Sequence, residues 1–131
     1  MRVLVTASRE WSWPEVLHAA LTDTYREWTK SCPDDTEFVV VHGKARGGDI
    51  MADEWARAAA VQDSRVRPEE HPADWERYGL AAGHLRNQEM VDAKADRCLA
   101  FPWGRSTGTR GCMKMAKKAD IPVKQFQPKL W

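Results

Sequence analysis

The sequence lacks the features that would place it in several large classes. Its three cysteines, Cys32, Cys98 and Cys112, are odd in number and show no C-x-x-C spacing. That excludes a disulfide framework and a zinc knuckle as organising principles. No stretch approaches the ~20 apolar residues of a membrane span. The opening Met1-Arg2-Val3-Leu4-Val5-Thr6 is too short for a secretory signal and reads as a strand, so a reducing, cytoplasmic setting without membrane contact is expected. Net charge is almost absent. Twenty Lys+Arg against nineteen Asp+Glu leave +1, which argues against a protein that coats nucleic acid or an anionic surface. Internal repeats, low-complexity segments and signs of a second domain are missing, and residues 1–131 read as one domain.

Two familiar nucleotide fingerprints are missing as well. No G-x-G-x-x-G occurs, so ordinary dinucleotide dehydrogenase chemistry is unsupported. Gly43 to Gly48 has the first half of a P-loop, but Asp49-Ile50 stands where Lys-Ser/Thr is required. His42, His71 and His84 show no metal-ligand spacing, and no metal site is assigned.

What the sequence does have is globular composition, 43% hydrophobic and 30% charged over 131 residues, enough to bury a core without staples. Val3-Leu4-Val5, Phe38-Val39-Val40-Val41 and Cys98-Leu99-Ala100-Phe101 are continuous apolar strands, each opening into a small or polar loop. Arg65 to His71, with only Val66 apolar and with Pro68 unable to donate, can be a strand only at an edge. Val123 to Phe126 is a last strand. Between them lie helical stretches. Ser12-Trp13-Pro14-Glu15 fits a capping box, followed by Val16, Leu17, Ala20, Leu21, Tyr25 and Trp28 on the same apolar face as Trp13. Ser31-Cys32-Pro33-Asp34-Asp35 is a connector. Ile50 to Gln62 carries Met51, Trp55, Ala58 and Ala59 inward. Leu80 to Ala93 is helical, and the last helix places Cys112, Met115, Ala116 and Ala119 at i, i+3, i+4 and i+7. Alternation of continuous apolar strands with helices specifies an α/β, Rossmann-like parallel sheet of about five strands with helices on both faces.

In such a sheet ligands bind at the carboxyl edge of the strands. The loops there hold Thr6, Ser8, Arg9, Gly43, Lys44, Arg46, Gly47, Gly48, His71, Gly104, Arg105, Ser106, Thr107, Gly108 and Thr109. Two Gly-rich turns leading into helices offer free backbone N–H groups and positive helix ends to one crevice. With Arg9, Lys44, Arg46 and Arg105 on the same edge, the rim suits a phosphate. Asp49 reads equally as a helix cap or as an acceptor for a ribose hydroxyl. Trp75 and Trp103 fall in loops at this edge, where they either stack a base or cover the core or an oligomer interface.

Taken in order, the segments Val3 to Arg9, Val41 to Asp49, His71-Pro72-Ala73-Asp74-Trp75, Arg86-Asn87-Gln88-Glu89-Met90 and Gly104 to Thr109 resemble the YspA-type, cpYpsA-related branch of the SLOG superfamily. The resemblance implies a Rossmann-like domain that binds a nucleotide or nucleotide-derived ligand, with Arg86 and Asn87 joining the pocket and no further cofactor. Relatives of that superfamily include the LOG phosphoribohydrolases, which cleave the base from a ribose 5′-monophosphate with an Arg and a Glu, and the DNA-processing protein DprA. Arg86 matches the LOG arginine in an Arg-x-x-x-Met setting. Gly111 and Cys112 stand where the LOG glutamate would be, and Glu89 or Asp49 would have to replace it. Nucleotide binding is therefore the leading expectation, LOG-like N-glycoside cleavage the second, and DprA-like single-strand DNA binding a third that the charge balance weakens. A homo-oligomer, a dimer first, is expected.

Overall fold

The computed structural model describes residues 1–31 and 36–128. Cys32 and the connector around it therefore lie outside the described residues. Five strands, β1 (Arg2–Ala7), β2 (Phe38–His42), β3 (Val66–Glu70), β4 (Arg97–Phe101) and β5 (Val123–Gln125), form one sheet in the order β3-β2-β1-β4-β5. Every pairing is parallel. The helices are α1 (Pro14–Ser31), α2 (Gly48–Gln62), the single turn α3 (Trp75–Tyr78), α4 (Ala82–Asp92) and α5 (Thr107–Lys118), with a 3₁₀ turn at Gly79–Ala81. The chain steps outward from β1 to β3, then returns to add β4 and β5 on the other side of β1. This makes a doubly wound sheet whose order reverses between β1 and β4.

Side-chain alternation along the buried strands supplies both layers. Val3, Val5, Phe38, Val40, Leu99 and Phe101 face α1 and α2, packing with Leu17, Leu21, Trp28, Ala52 and Ala56. Leu4, Val39, Val41 and Cys98 face the other way, against Met90, Val91, Cys112 and Ala116 of α4 and α5. Each fully buried Val, Leu or Phe contributes about 1.5–3 kcal/mol. Continuous apolar strands are what a sheet covered on both faces requires. The weak β3 lies at the edge, with Pro68 opposite Val40.

Several details differ from the sequence pattern. No capping box forms, because Ser12 Oγ donates to the Glu10 carbonyl (3.1 Å) and the first turn of α1 closes on the Trp13 carbonyl instead. The residues of α2 that meet the sheet are Ala52 and Ala56, while Ala58 is exposed. The helix approaches so closely that only methyl groups fit beneath it, and Met51 and Trp55 pack at its flank. On α5, Met113 rather than Met115 is buried, and Ala119 is exposed. Trp11, which no helical periodicity marks, is 1% exposed and meets Trp13 and Phe101 edge-on, both at 5.3 Å between ring centres.

The entry to α2 explains this close approach. Gly47 has φ 81°, and a Cβ there would lie 2.6 Å from the Arg9 carbonyl oxygen. A Cβ on Gly48 would collide with that of Ala7. The pair is thus required by backbone and by packing of α2 on the end of β1. Gly48→Val is expected to lower the unfolding midpoint by the equivalent of about 1–3 kcal/mol or more, the cost of overpacking. Thermal denaturation followed by circular dichroism, without any ligand, checks this.

Candidate functional site

A cleft of about 790 Å³ opens where the sheet order reverses. Its walls come from the end of β1 and the following loop (Thr6 to Glu10), from α3 through α4 (Trp75, Leu80, Gly83, His84, Arg86, Asn87, Met90) and from the β4–α5 segment (Trp103 to Thr109, then Gly111 and Met115). Ala45 and Asp49 at the start of α2 complete it. A smaller cavity of about 190 Å³ lies at the other end of β4 and β5, beneath α1.

The two glycine-rich turns do not play equal parts. Gly47 and Gly48 are packed against Ser8, Arg9 and Ala7 and do not line the cleft. Gly43 contributes through its backbone, its carbonyl accepting from Arg86 Nη1. Arg46, 74% exposed, pairs with Glu10 (3.1 Å), and Lys44 pairs with Glu70 (3.4 Å), so neither cation joins the lining. Glu89 is also outside it: its carboxylate is 65% exposed and bonds His71 Nδ1 at 3.2 Å.

The β4–α5 turn, by contrast, opens directly into the cleft. Ser106 sits just before α5 in a left-handed conformation (φ 46°), and its buried Oγ has no hydrogen-bond partner. The N–H groups of the first helical turn, Thr107, Gly108 and Thr109, have no intrahelical acceptor. Arg110 fixes the turn from behind, donating from Nε to the Arg105 carbonyl (3.1 Å) and from Nη2 to the Gly104 carbonyl (3.2 Å). Asn87 Nδ2 donates to the Gly108 carbonyl (3.2 Å), tying α4 to α5. Ser8 Oγ donates to the Trp103 carbonyl (3.2 Å), tying the β1 loop to the same segment.

Polarity is graded with depth. Trp75, Leu80 and Trp103 are 46%, 100% and 37% exposed and form the mouth. Arg9 lies over the Trp75 ring at 5.4 Å. Thr6, Asp49, Asn87 and Thr109 are buried and form the floor. There Asp49 Oδ2 accepts from the N–H groups of Gly43 (3.2 Å) and Ala45 (3.3 Å), and Oδ1 has no partner. Burial pushes the Asp49 carboxyl up to about 6, although the charges of Arg86 and His42 pull the other way. Burial likewise lowers the Arg86 guanidinium, opposed by Asp49. Burial raises the Cys112 thiol to about 11, so it is no nucleophile at neutral pH.

Of the residues proposed from sequence, the cleft brings together Thr6, Ser8, Arg9, Asp49, Arg86, Asn87, Gly104, Ser106, Thr107, Gly108 and Thr109. The sequence reading missed Glu10, Leu80, Gly83, His84 and Met115. Met115 had a usable signal, lying seven residues, or two turns, after Gly108. Leu80 had none, since its position depends on how α3 turns into α4. Among the described residues one possible cation-binding group occurs, His42, Asp53 and Glu70. His42 Nδ1 accepts the Lys44 N–H (3.0 Å), so Nε2 carries the proton and donates to Asp53 (2.9 Å). Arg57 already pairs with both carboxylates (2.7 and 3.0 Å), and Lys44 pairs with Glu70 as well (3.4 Å).

The Asp49 geometry has a consequence for stability. The folded chain holds that proton up to about pH 6, whereas the unfolded chain releases it near 3.8. The stabilising contribution is complete below the lower value and lost as pH rises through the upper one. Asp49→Asn has no proton to lose. Its melting temperature is expected to gain on wild type between pH 4 and 7, by the equivalent of about 3 kcal/mol. Paired thermal melts across that range check this.

Comparison with known proteins places the chain in a family. A family model described as the YspA, cpYpsA-related SLOG family matches residues 1–78, which run from β1 through α3. The α4 and β4–α5 walls of the cleft lie beyond that match. The chain is also 50% identical over 128 residues to the Gene 61 protein of Mycobacterium phage D29, covering 98% of each chain. No solved structure matches it. Among the described residues no helix is long and apolar enough to cross a membrane. The chain belongs to the YspA, cpYpsA-related SLOG family.

Proposed function

We propose that the cleft binds a nucleotide or nucleotide derivative, with its phosphate on the amino end of α5 and its base at the mouth. The observation that carries this reading is the β4–α5 turn. It combines first-turn N–H groups that have no intrahelical acceptor with the unpartnered Ser106 hydroxyl and the positive end of a twelve-residue helix, the elements of an anion site. Arg9, Arg86 and Arg105 line the same cleft. Trp75 and Trp103 offer planar faces to a base, worth about 1–3 kcal/mol per stacked base. The opening is large enough for a mononucleotide, and SLOG membership suggests nucleotide-related binding or processing.

Binding is favoured over LOG-like hydrolysis. Oxocarbenium-like chemistry calls for a free carboxylate beside the sugar to steady the charge or activate water. Gly111 and Cys112 supply none at the LOG position, and Glu89 turns away to His71. Glu10 is paired with Arg46, and Asp49 keeps one oxygen on two backbone N–H groups, so hydrolysis would have to use its other, unpartnered oxygen.

Nucleoside 5′-monophosphates are expected to raise the melting temperature without release of free base, as followed by calorimetry and chromatography. Arg86→Ala should weaken binding about ten- to a hundredfold, the loss of a charged hydrogen bond. Arg46→Ala, removing an exposed surface pair, should leave affinity within about twofold. Base release that persists in pure protein and disappears in Arg86→Ala would make this an N-glycoside hydrolase. Equal affinities for both variants would place the ligand elsewhere.

A further inference from the structure

The floor of the cleft carries a demand that the phosphate end does not meet. Asp49 is only 5% exposed, yet one of its carboxylate oxygens has no partner. A buried acceptor left unsatisfied costs about 1–3 kcal/mol, and more when charged. The folded protein tolerates this one in a cleft wall, not in the closed core. Because Oδ2 is already committed to Gly43 and Ala45, the carboxylate is fixed in orientation and offers one free acceptor. Such a group repels phosphate and asks for a donor. Nucleotides offer two kinds, a sugar hydroxyl or an exocyclic amine of the base.

The grading of the cleft decides between them. The rings of Trp75 and Trp103 and the apolar side chain of Leu80 are at the solvent-facing mouth, where a base would lie. Asp49 is at the floor with Thr6, Asn87 and Thr109, and the sugar is the part of a nucleotide that joins base to phosphate. We infer that Asp49 Oδ1 accepts a hydrogen bond from a ribose hydroxyl, making it the residue by which the cleft selects ribonucleotides over deoxyribonucleotides. The inference rests on the nucleotide reading above and deepens it. Burial that holds the Asp49 proton up to about 6 is consistent with a carboxylate lacking its donor.

The test is calorimetric titration of wild type and Asp49→Asn with AMP, 2′-deoxy-AMP, 3′-deoxy-AMP and IMP at pH 7.5, which is an assay condition about 1.5 units above the Asp49 value. Asparagine can keep its oxygen on Gly43 and Ala45, so the variant should fold, and its circular dichroism is recorded alongside. Wild type is expected to bind AMP about tenfold or more tightly than at least one deoxy analogue, the difference a charged hydrogen bond makes. In Asp49→Asn that preference should shrink to about twofold or less. Equal binding of AMP and both deoxy analogues by wild type would overturn the inference while leaving nucleotide binding intact. So would a ribose preference undiminished in the variant. An AMP-over-IMP preference that vanishes in the variant would assign Asp49 to the base amine instead. If none of the four binds, the nucleotide reading fails and this inference with it.

Discussion

Much of this molecule depends on how closely α2 approaches the end of β1. Gly47 and Gly48 leave no side chain between the helix start and the Ala7–Arg9 backbone. Ala52 and Ala56 then let the helix lie directly on the sheet. One result is that Asp49, in the first turn, is drawn out of solvent, where the N–H groups of Gly43 and Ala45 hold one of its oxygens. A larger residue at either glycine would lift the helix and return that carboxylate to water. The β2–α2 loop is therefore shaped first by packing, and its contribution to the cleft follows from it.

That packing also distributes labour between the two glycine-rich turns. Doubly wound sheets bind ligands where the strand order reverses, because adjacent connections there leave in opposite directions and part to form a crevice. Here the reversal is between β1 and β4. The α5 start opens into the gap, while the α2 start is packed against the β1–α1 loop and presents a carboxylate instead. A positive helix end and a buried carboxylate thereby stand apart within one cleft. The gradient from an aromatic mouth to a polar floor follows from the same arrangement. Trp75 and Leu80 come from the short turns before α4, which stand clear of the sheet, and Thr6 and Asn87 come from elements packed on it.

Charge is organised by similar logic. Lys44 and Arg46 belong to the loop with the most basic sequence, yet they are engaged by Glu70 and Glu10 at the surface. Arg86 differs in being partly desolvated. It lies beside a buried acid, and Asn87 Oδ1 accepts its Nε–H at 2.9 Å, which fixes the side chain. In a low-dielectric setting one oriented guanidinium counts for more than several solvated ones.

The sequence by itself determined the sheet and its two layers. Continuous apolar runs at Val3–Val5, Phe38–Val41 and Cys98–Phe101 have only one economical use, burial on both faces with helices between. The edge position of β3 was legible in Pro68. The carboxyl-edge loops were legible too, since parallel strands all end on one side and the loops after β1, β2 and β4 hold Gly, Ser or Thr. What only the tertiary structure decided was which loop residues turn inward. Gly47-Gly48 and Gly104 to Gly108 look alike as text, and they differ because one meets the β1 backbone and the other meets open space. Glu89 was placed by its reach to His71, Trp11 by its neighbours Trp13 and Phe101, and Asp49 by a helix approach that no local pattern encodes. Each of these depends on contacts between segments distant in the chain, where sequence spacing carries no information about direction.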